Sequence, residues 1–518
     1  MSENSRTEHS ARNATVAVVA KIIAILAGYV TRVVFTHTLS QDYVGINGLL
    51  TNILNVLALS ELGVGTAITY ALYLPISRRD VEKQKSLMRM YRHFYRIIAV
   101  IVLVCGLLVI PFFGKLIKNQ PDVDHLVLIY LLYLLNSVLS YLLIYKKTLI
   151  EAHQLSYIVT LYQTVFLLLQ NLVQVTVLVL TGNFLLFVTI QLACTLGNNL
   201  SISRKADRMY PYLKEKEVQK LPENEKRSIF RSIRAMLMHK IGSVVVNDSD
   251  NLLLSAIVGI VSVSKYSNYF LVIGSVRQVL DQAFQGITAS VGNLGVEEGR
   301  ERIRKIFESS FFMGQWMFGL TAICLFELCD VFVEISFGPQ YVFPRSVTLI
   351  LCLNFYLTGM RQPVLVFHDS MGLFWYDRYK SLAEALINLT ASIILGKYWG
   401  TFGIFLGTMV STITTSFWVE PLVLYKYRLE MPVRGYFCRY GLYAAVTFGI
   451  WQAIDFLCGC ITGGLWKICF LRSIVCLLGV NAVYLLIYHR TREFRLLAQK
   501  ARKIIQDRQT QRHARKGV

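Results

Sequence analysis

The stretch from Lys240 to Gly295, KIGSVVVNDSDNLLLSAIVGIVSVSKYSNYFLVIGSVRQVLDQAFQGITASVGNLG, decides how the chain is read. It is apolar enough for two bilayer crossings of about 20 residues each. A short break between them is expected near Val261 to Asn268. Polar residues are set inside both crossings. Lys240, Ser243, Asn247 and Asp250 recur at steps of three and four on the first, so they share one helical face. Gln278, Asp281, Gln285, Thr288 and Gly292 do the same on the second, with Arg277 one turn before Asp281. Ionisable groups at membrane depth are costly, and they tend to face a protein interior or a wet cavity where they bind or move something.

The rest of the chain repeats this apolar character. Of 518 residues, 54% are hydrophobic and 16% charged, and the apolar ones come in long blocks divided by short basic or Gly/Pro-containing breaks. That is the pattern of an all-α, polytopic membrane protein rather than of soluble domains. The blocks predict about fourteen crossings, at roughly 13–38, 44–73, 91–113, 124–146, 156–181, 183–203, 236–260, 266–294, 306–328, 346–367, 376–397, 402–425, 438–458 and 466–488. Lys21 and Arg32 interrupt the first block, which begins late and has no small-residue cleavage site. It is therefore expected to stay in the mature protein.

Charge gives orientation. The N-terminus, the even-numbered loops and the C-terminus carry roughly forty Lys and Arg against about five on the other side, a bias that assigns the rich side, with both termini, to the cytoplasm. Topology thus accounts for most of the net charge of +21, and nucleic-acid binding is not read from it. Five segments follow: a first lobe (1–203, crossings one to six), a basic cytoplasmic linker (204–235), a second lobe (236–428, crossings seven to twelve), two additional helices (429–488) and a basic tail (489–518). Leu496, Leu497, Ala501, Ile504 and Ile505 make the tail amphipathic, suited to the inner leaflet or to docking synthesis enzymes. Ile229, Ile233 and Met236 give the linker a similar strip.

The lobes show faint repetition. Lys21-Ile22 has a counterpart in Lys240-Ile241, and Tyr43 and Gly63 match Tyr266 and Gly286. Six crossings per lobe leave both lobes in one orientation, as in transporters built from parallel repeats, with the substrate path between them. On the first helix Lys21, Gly28 and Arg32 share a face, the two cations about three turns or roughly 16 Å apart. Snorkelling to the headgroups is the plain alternative for Lys21, Arg32 and Lys240, and a structural ion pair with Asp281 is the alternative for Arg277.

If these cations face one cavity, its solute is anionic. A guanidinium fork suits phosphate oxygens, and an ammonium adds a compact charge. Asn247, Gln278, Gln282 and Gln285 would offer amides to sugar hydroxyls, or else hydrogen-bond neighbouring helices. A phosphate plus sugars fits this lining best. No His/Cys cluster has metal spacing, Cys458 and Cys460 stand too close for a zinc pair, and no Walker A sequence is present. Asp330 and Glu334, in the largest outer loop, CDVFVEISFGPQYVFPRS, read as a solvated edge rather than as catalytic acids.

Three stretches carry a family resemblance: SDNLLLSAIVGIVSVSKYSNYFLV (249–272), YVGINGLLTNILNVLALSELGVGTAITYALYLP (43–75) and KKTLIEAHQLSYI (146–158). With the hydropathy and lobe organisation, they make the chain resemble Wzx-type polysaccharide flippases of the multidrug/oligosaccharidyl-lipid/polysaccharide exporter superfamily. Ser249 stands where the family usually has Thr before Asp-Asn. The resemblance implies a multi-pass protein of the bacterial cytoplasmic membrane, with two six-helix lobes around a V-shaped cavity. It further implies that undecaprenyl-diphosphate-linked oligosaccharides are turned from the cytoplasmic to the outer leaflet, with membrane lipids and other polysaccharide-synthesis proteins as further partners. By position, Lys21, Arg32, Lys240 and Arg277 correspond to the cations that receive the diphosphate. No cofactor is expected. Asp250 and Asp281 either carry a coupled proton or sodium ion or balance the charge of the cavity. Two other classes stay open: an ion-coupled small-molecule exporter of the same superfamily, which would have an acidic cavity, and a membrane-embedded polymerase or glycosyltransferase.

Overall fold

The computed structural model describes residues 3–57, 64–117, 123–215, several positions between 219 and 230, 249–297, 300–371, 373–496 apart from 374, 375 and 378, and 499. Among them the regular structure is helical throughout. The chain divides into two compact units, 1–267 and 268–518.

In the first unit α1 (Glu3–Thr38), α2 (Gln41–Leu57), α3 (Val64–Ser77), α4 (Val81–Val109), α5 (Leu126–Ala152), α6 (Ser156–Thr181) and α7 (Phe184–Met209) follow one another. Their ends obey local chemistry. Asp80 caps α4 by accepting from the Lys83 amide at 2.9 Å, and Asn183 caps α7 by accepting from the Leu186 amide at 3.1 Å. Gly182, at φ 61°, closes α6 in the left-handed conformation. Polar bonds join the helices where no water reaches. Gln174 on α6 donates to the Phe187 carbonyl of α7 at 2.9 Å, Tyr130 on α5 donates to the Gly106 carbonyl of α4 at 2.8 Å, and Thr31 on α1 meets Asn171 on α6.

The expected break within 261–268 is instead at Gly259, whose φ of 133° and ψ of 167° only a residue without Cβ adopts readily. From there α8 (Ile260–Glu297) runs without interruption. Its first turns belong to the first unit, where the missing Cβ of Gly45 lets Ile260 come close. Most of the seventh expected crossing, 236–248, lies outside the described residues, as do the tail positions Leu497, Ala501, Ile504 and Ile505 and the linker positions Ile233 and Met236.

The second unit holds the rest of α8, then α9 (Arg300–Phe337), α10 (Arg345–Met360), α11 (Gln362–Ser370), α12 (Lys380–Thr414), α13 (Ser416–Leu424), α14 (Arg434–Gly459), α15 (Leu465–Ile474) and α16 (Val480–Tyr488). Its core is aromatic: Phe307, Phe311, Phe312, Tyr436, Tyr440, Tyr443 and Tyr488 are all buried together. Gln315 on α9 donates to Thr447 on α14 at 2.7 Å and accepts from Tyr356 on α10 at 2.9 Å, and Trp316 donates to Asn481 on α16 at 2.8 Å. The last helices are thus bonded into this unit through α9. Much of the anticipated outer loop is helix as well, because α9 continues to Phe337 and stops only at Gly338 (φ 106°).

Gly400, at φ 57° and ψ −133°, breaks α12. The Ser392 hydroxyl donates to the Ile404 carbonyl at 3.0 Å, and Asn388 donates to Thr408 at 3.1 Å. Residues this far apart meet only if the helix folds back, so α12 is a hairpin that supplies the eleventh and twelfth expected crossings. Gly403 and Gly407 make the close approach possible, since a Cβ at either would run into the backbone of Leu395 or Ser392.

Nine helices among the described residues are long and apolar enough to cross a membrane, ten if the pair Leu126–Leu142 and Tyr145–Ala152, bent by 47°, is one span. Large aliphatic side chains stand bare on their outer faces, among them Leu180 at 77% exposure and Leu486 at 73%. Such a surface suits hydrocarbon and not water. The chain is a multi-pass membrane protein.

Gly407→Val should destabilise the purified, detergent-solubilised protein by about 1–3 kcal/mol through overpacking of the hairpin. Gly441→Val, where the added carbon meets nothing within 4 Å, should leave the melting temperature unchanged.

Candidate functional site

Among the residues singled out from the sequence, Arg277 and Asp281 are brought together. One turn apart on α8, they lie 3.4 Å from each other, Nε to Oδ1, with side chains 25% and 33% exposed. Arg277 also donates through Nη1 to the Thr358 hydroxyl at 2.6 Å and through Nη2 to the Thr358 carbonyl at 3.4 Å, and it lies over the Phe318 ring. Thr358 is held in turn by the Asn354 carbonyl of its own helix, α10, at 2.7 Å. Gln278, the next residue of α8, is exposed. Gln282 and Gln285 follow on the same helix, but their side chains lie outside the described residues.

The other candidates are described each within its own unit. Lys21 is exposed on α1. Arg32, three turns on, is half-buried beside Phe35, its guanidinium 5.9 Å from the ring centroid. Asp250 is buried at the start of the short helix Ser249–Val258. Lys240 and Asn247 lie outside the described residues. Lys21, Arg32 and Asp250 belong to the first unit, Arg277, Gln278 and Asp281 to the second.

The second unit also contains a charge cluster that the reading centred on 240–295 missed. Arg361, just after α10, grips Glu420 of α13 with Nε to Oε2 at 3.0 Å and Nη2 to Oε1 at 2.7 Å, a two-point fork. Its Nη1 reaches Glu384 of α12 at 3.4 Å, while Lys380 binds Glu420 at 2.5 Å and Ser416 donates to Glu384 at 2.5 Å. Glu420 is fully buried. Asp377 extends the cluster, 3.4 Å from Lys380 and 3.2 Å from His368. Burial pushes the Asp377 carboxyl up, but the nearby His368 and the charge of Lys380 more than offset it and hold the carboxyl below its ordinary range. One signal was available: Glu420 interrupts the apolar run SFWVEPLVL just as Arg277 interrupts its own.

These two groups are chemically different. In the cluster both cations are answered: Arg361 and Lys380 face Glu420, Glu384 and Asp377. Among the described residues Arg277 has one carboxylate, the partly exposed Asp281, and feels the like charge of Arg361. The cluster is therefore a tie between α10, α12 and α13. Asp330, expected on a solvated edge, lies inside α9 and accepts from Tyr269 at 2.5 Å and Thr348 at 2.6 Å. Helix α9 running past it turns that carboxylate inward, to join α8 and α10.

No known family profile and no curated protein matches the sequence. Solved structures do match in shape. One described as "Lipid II flippase MurJ, inward closed conformation" is similar at TM-score 0.66 and 12% identity, over 92% of this chain and 99% of that one. An inward-facing multidrug resistance MATE family transporter of the MOP superfamily is similar at TM-score 0.59 and 12% identity, over 79% and 98%. A MATE structure in the bent conformation follows at 0.51 and 12%, over 81% and 96%. At such identities the likeness is one of fold.

Glu420→Ala takes the two-point fork from Arg361 and the nearer carboxylate from Lys380, leaving them Glu384 and Asp377, each at 3.4 Å, and should cost about 1.5–3 kcal/mol of stability, read as a lower melting temperature in detergent. Removing the half-exposed pair Lys147–Glu151, 3.5 Å apart, should change it little.

Proposed function

We propose that the chain translocates undecaprenyl-diphosphate-linked oligosaccharide units across the bacterial cytoplasmic membrane by alternating access, as a transporter and not an enzyme. The observation that carries this reading is Arg277: a guanidinium in the midst of a 38-residue helix, oriented by Thr358, repelled by Arg361 and only partly balanced by Asp281. In a site of low dielectric such a cation favours an anion that brings its own charge, and a diphosphate offers oxygens at the spacing of the guanidinium fork. The fold shared with a lipid II flippase supports a lipid-linked cargo.

In this mechanism an inward-open state receives the headgroup, with Arg277, Arg32, Lys21 and Lys240 meeting the diphosphate and Gln278, Gln285 and Asn247 the sugars. The protein then converts to an outward-open state while the polyprenyl tail stays in lipid. Asp281 answers Arg277 when the site is empty, and Asp281 and Asp250 are the carboxylates available for coupling to a proton or sodium gradient. The linker and the tail meet the inner leaflet and other synthesis proteins.

The fold supports a second reading equally, an ion-coupled exporter of small molecules. The two diverge at Arg277. With purified protein in liposomes and a fluorescent undecaprenyl-diphosphate sugar, Arg277→Ala should slow flipping at least about tenfold, as expected for loss of a buried charge-assisted contact of about 1.5–3 kcal/mol, and Arg277→Lys should restore part of it. Wild-type flipping by Arg277→Ala, or cation efflux without lipid flipping, would sink the proposal. Loss of the protein in cells should leave the lipid-linked intermediate on the cytoplasmic side.

A further inference from the structure

A cavity of about 680 Å³ lies in the first unit, where the N-terminal half of α4 meets the linker. Arg89, His93 and Arg96 stand on one face of α4 at steps of four and three, with Arg92 beside them, and all four are exposed and line the cavity. No carboxylate lines it among the described residues. The acids nearby are already engaged: Glu215 and Glu82 with Lys85, Asp207 with Lys146 at 2.7 Å, Glu225 with Lys83 at 2.8 Å, and Glu223 with Lys226 at 2.6 Å. Arg89, Arg92 and Arg96 have no ion pair among the described residues. Three guanidiniums thus line a space to which no described residue brings a carboxylate, and like charges so placed favour an anion there.

The rest of the lining says what kind of anion. Phe94 and Phe230 meet edge to face at 5.0 Å, and buried Leu221 adds to this apolar wall. Beyond Arg96 the same face of α4 turns bare and aliphatic, with Val100 at 59% exposure and Leu107 at 45%. Cations give way to hydrocarbon-facing side chains within one turn, which is the profile of a helix crossing from headgroup level into the acyl region. A free phosphate would use the arginines and leave the aromatic wall and aliphatic stripe without a role. We propose that this cavity binds the phosphate headgroup of an anionic membrane phospholipid, whose chains lie along α4 from Val100 onward. The size is ordinary for a ligand site of this class.

The experiment uses the full chain, purified in neutral detergent and titrated under native mass spectrometry with dioleoylphosphatidylglycerol, dioleoylphosphatidylcholine, inorganic phosphate or undecaprenyl phosphate. The wild type should retain phosphatidylglycerol well above phosphatidylcholine, and inorganic phosphate should compete only weakly. Arg89→Gln/Arg92→Gln/Arg96→Gln should lower the apparent affinity for phosphatidylglycerol by on the order of a hundredfold, with the corresponding triple Lys variant keeping most of it. Arg204→Gln/Arg208→Gln/Arg434→Gln, which removes equal charge from exposed positions elsewhere, should have little effect. An equal loss in both Gln triples would overturn the proposal in favour of diffuse attraction, and phosphate competing as well as the lipid would reduce the cavity to an inorganic-anion site. Capture of undecaprenyl phosphate without phosphatidylglycerol would assign it to cargo instead.

Discussion

A charge placed inside a helical membrane bundle must be answered within a few ångströms, because there is no water to answer it. The second unit is built around that constraint. Glu420, fully buried, is held by a guanidinium fork and an ammonium, and this arrangement joins the end of α10 to α12 and α13. Arg277 sits at the margin of the same rule, with one hydroxyl, one carbonyl and one half-exposed carboxylate around it. The contrast is between a cluster in which two cations and three carboxylates interlock and a cation that meets, among the described residues, a single partly exposed carboxylate.

Backbone freedom does complementary work. Gly400 reverses α12, and Gly403 and Gly407 let its two arms touch closely enough for Ser392 and Asn388 to bond across. That contact sets Glu384, at the start of one arm, where Arg361 and Ser416 can reach it. Without side chains at the crossing point, the backbones approach and the polar residues nearby find partners; with them, the cluster would be pulled apart. Small residues and buried charges are therefore parts of one arrangement.

The helical crossings were legible because hydropathy is a sum over neighbouring residues, and a span of about 20 apolar positions declares itself wherever it occurs. The expected spans at 156–181 and 438–458 correspond to α6 and α14. The pairing of Arg277 with Asp281 was legible for a similar reason, since a separation of four on a helix is a local fact. Three details were not. The break came at Gly259 rather than later, because a single glycine outweighed the polar residues after it. Asp330 turned inward because α9 extends through what composition marked as loop. Arg361 and Glu420 went unremarked, because no helical or strand period pairs two residues on different helices.

What the sequence by itself determined is that the chain is helical, multi-pass and asymmetrically basic, and that a few of its charges lie at membrane depth. What only the tertiary structure decided is which of those charges meet. Arg361 and Glu420 are 59 positions apart, and Arg277 and Thr358 are 81. No local period links residues at such separations; their encounter depends on how α8, α10 and the α12 hairpin are set side by side, and that is settled by close packing at glycines and by the need of each buried charge for a partner.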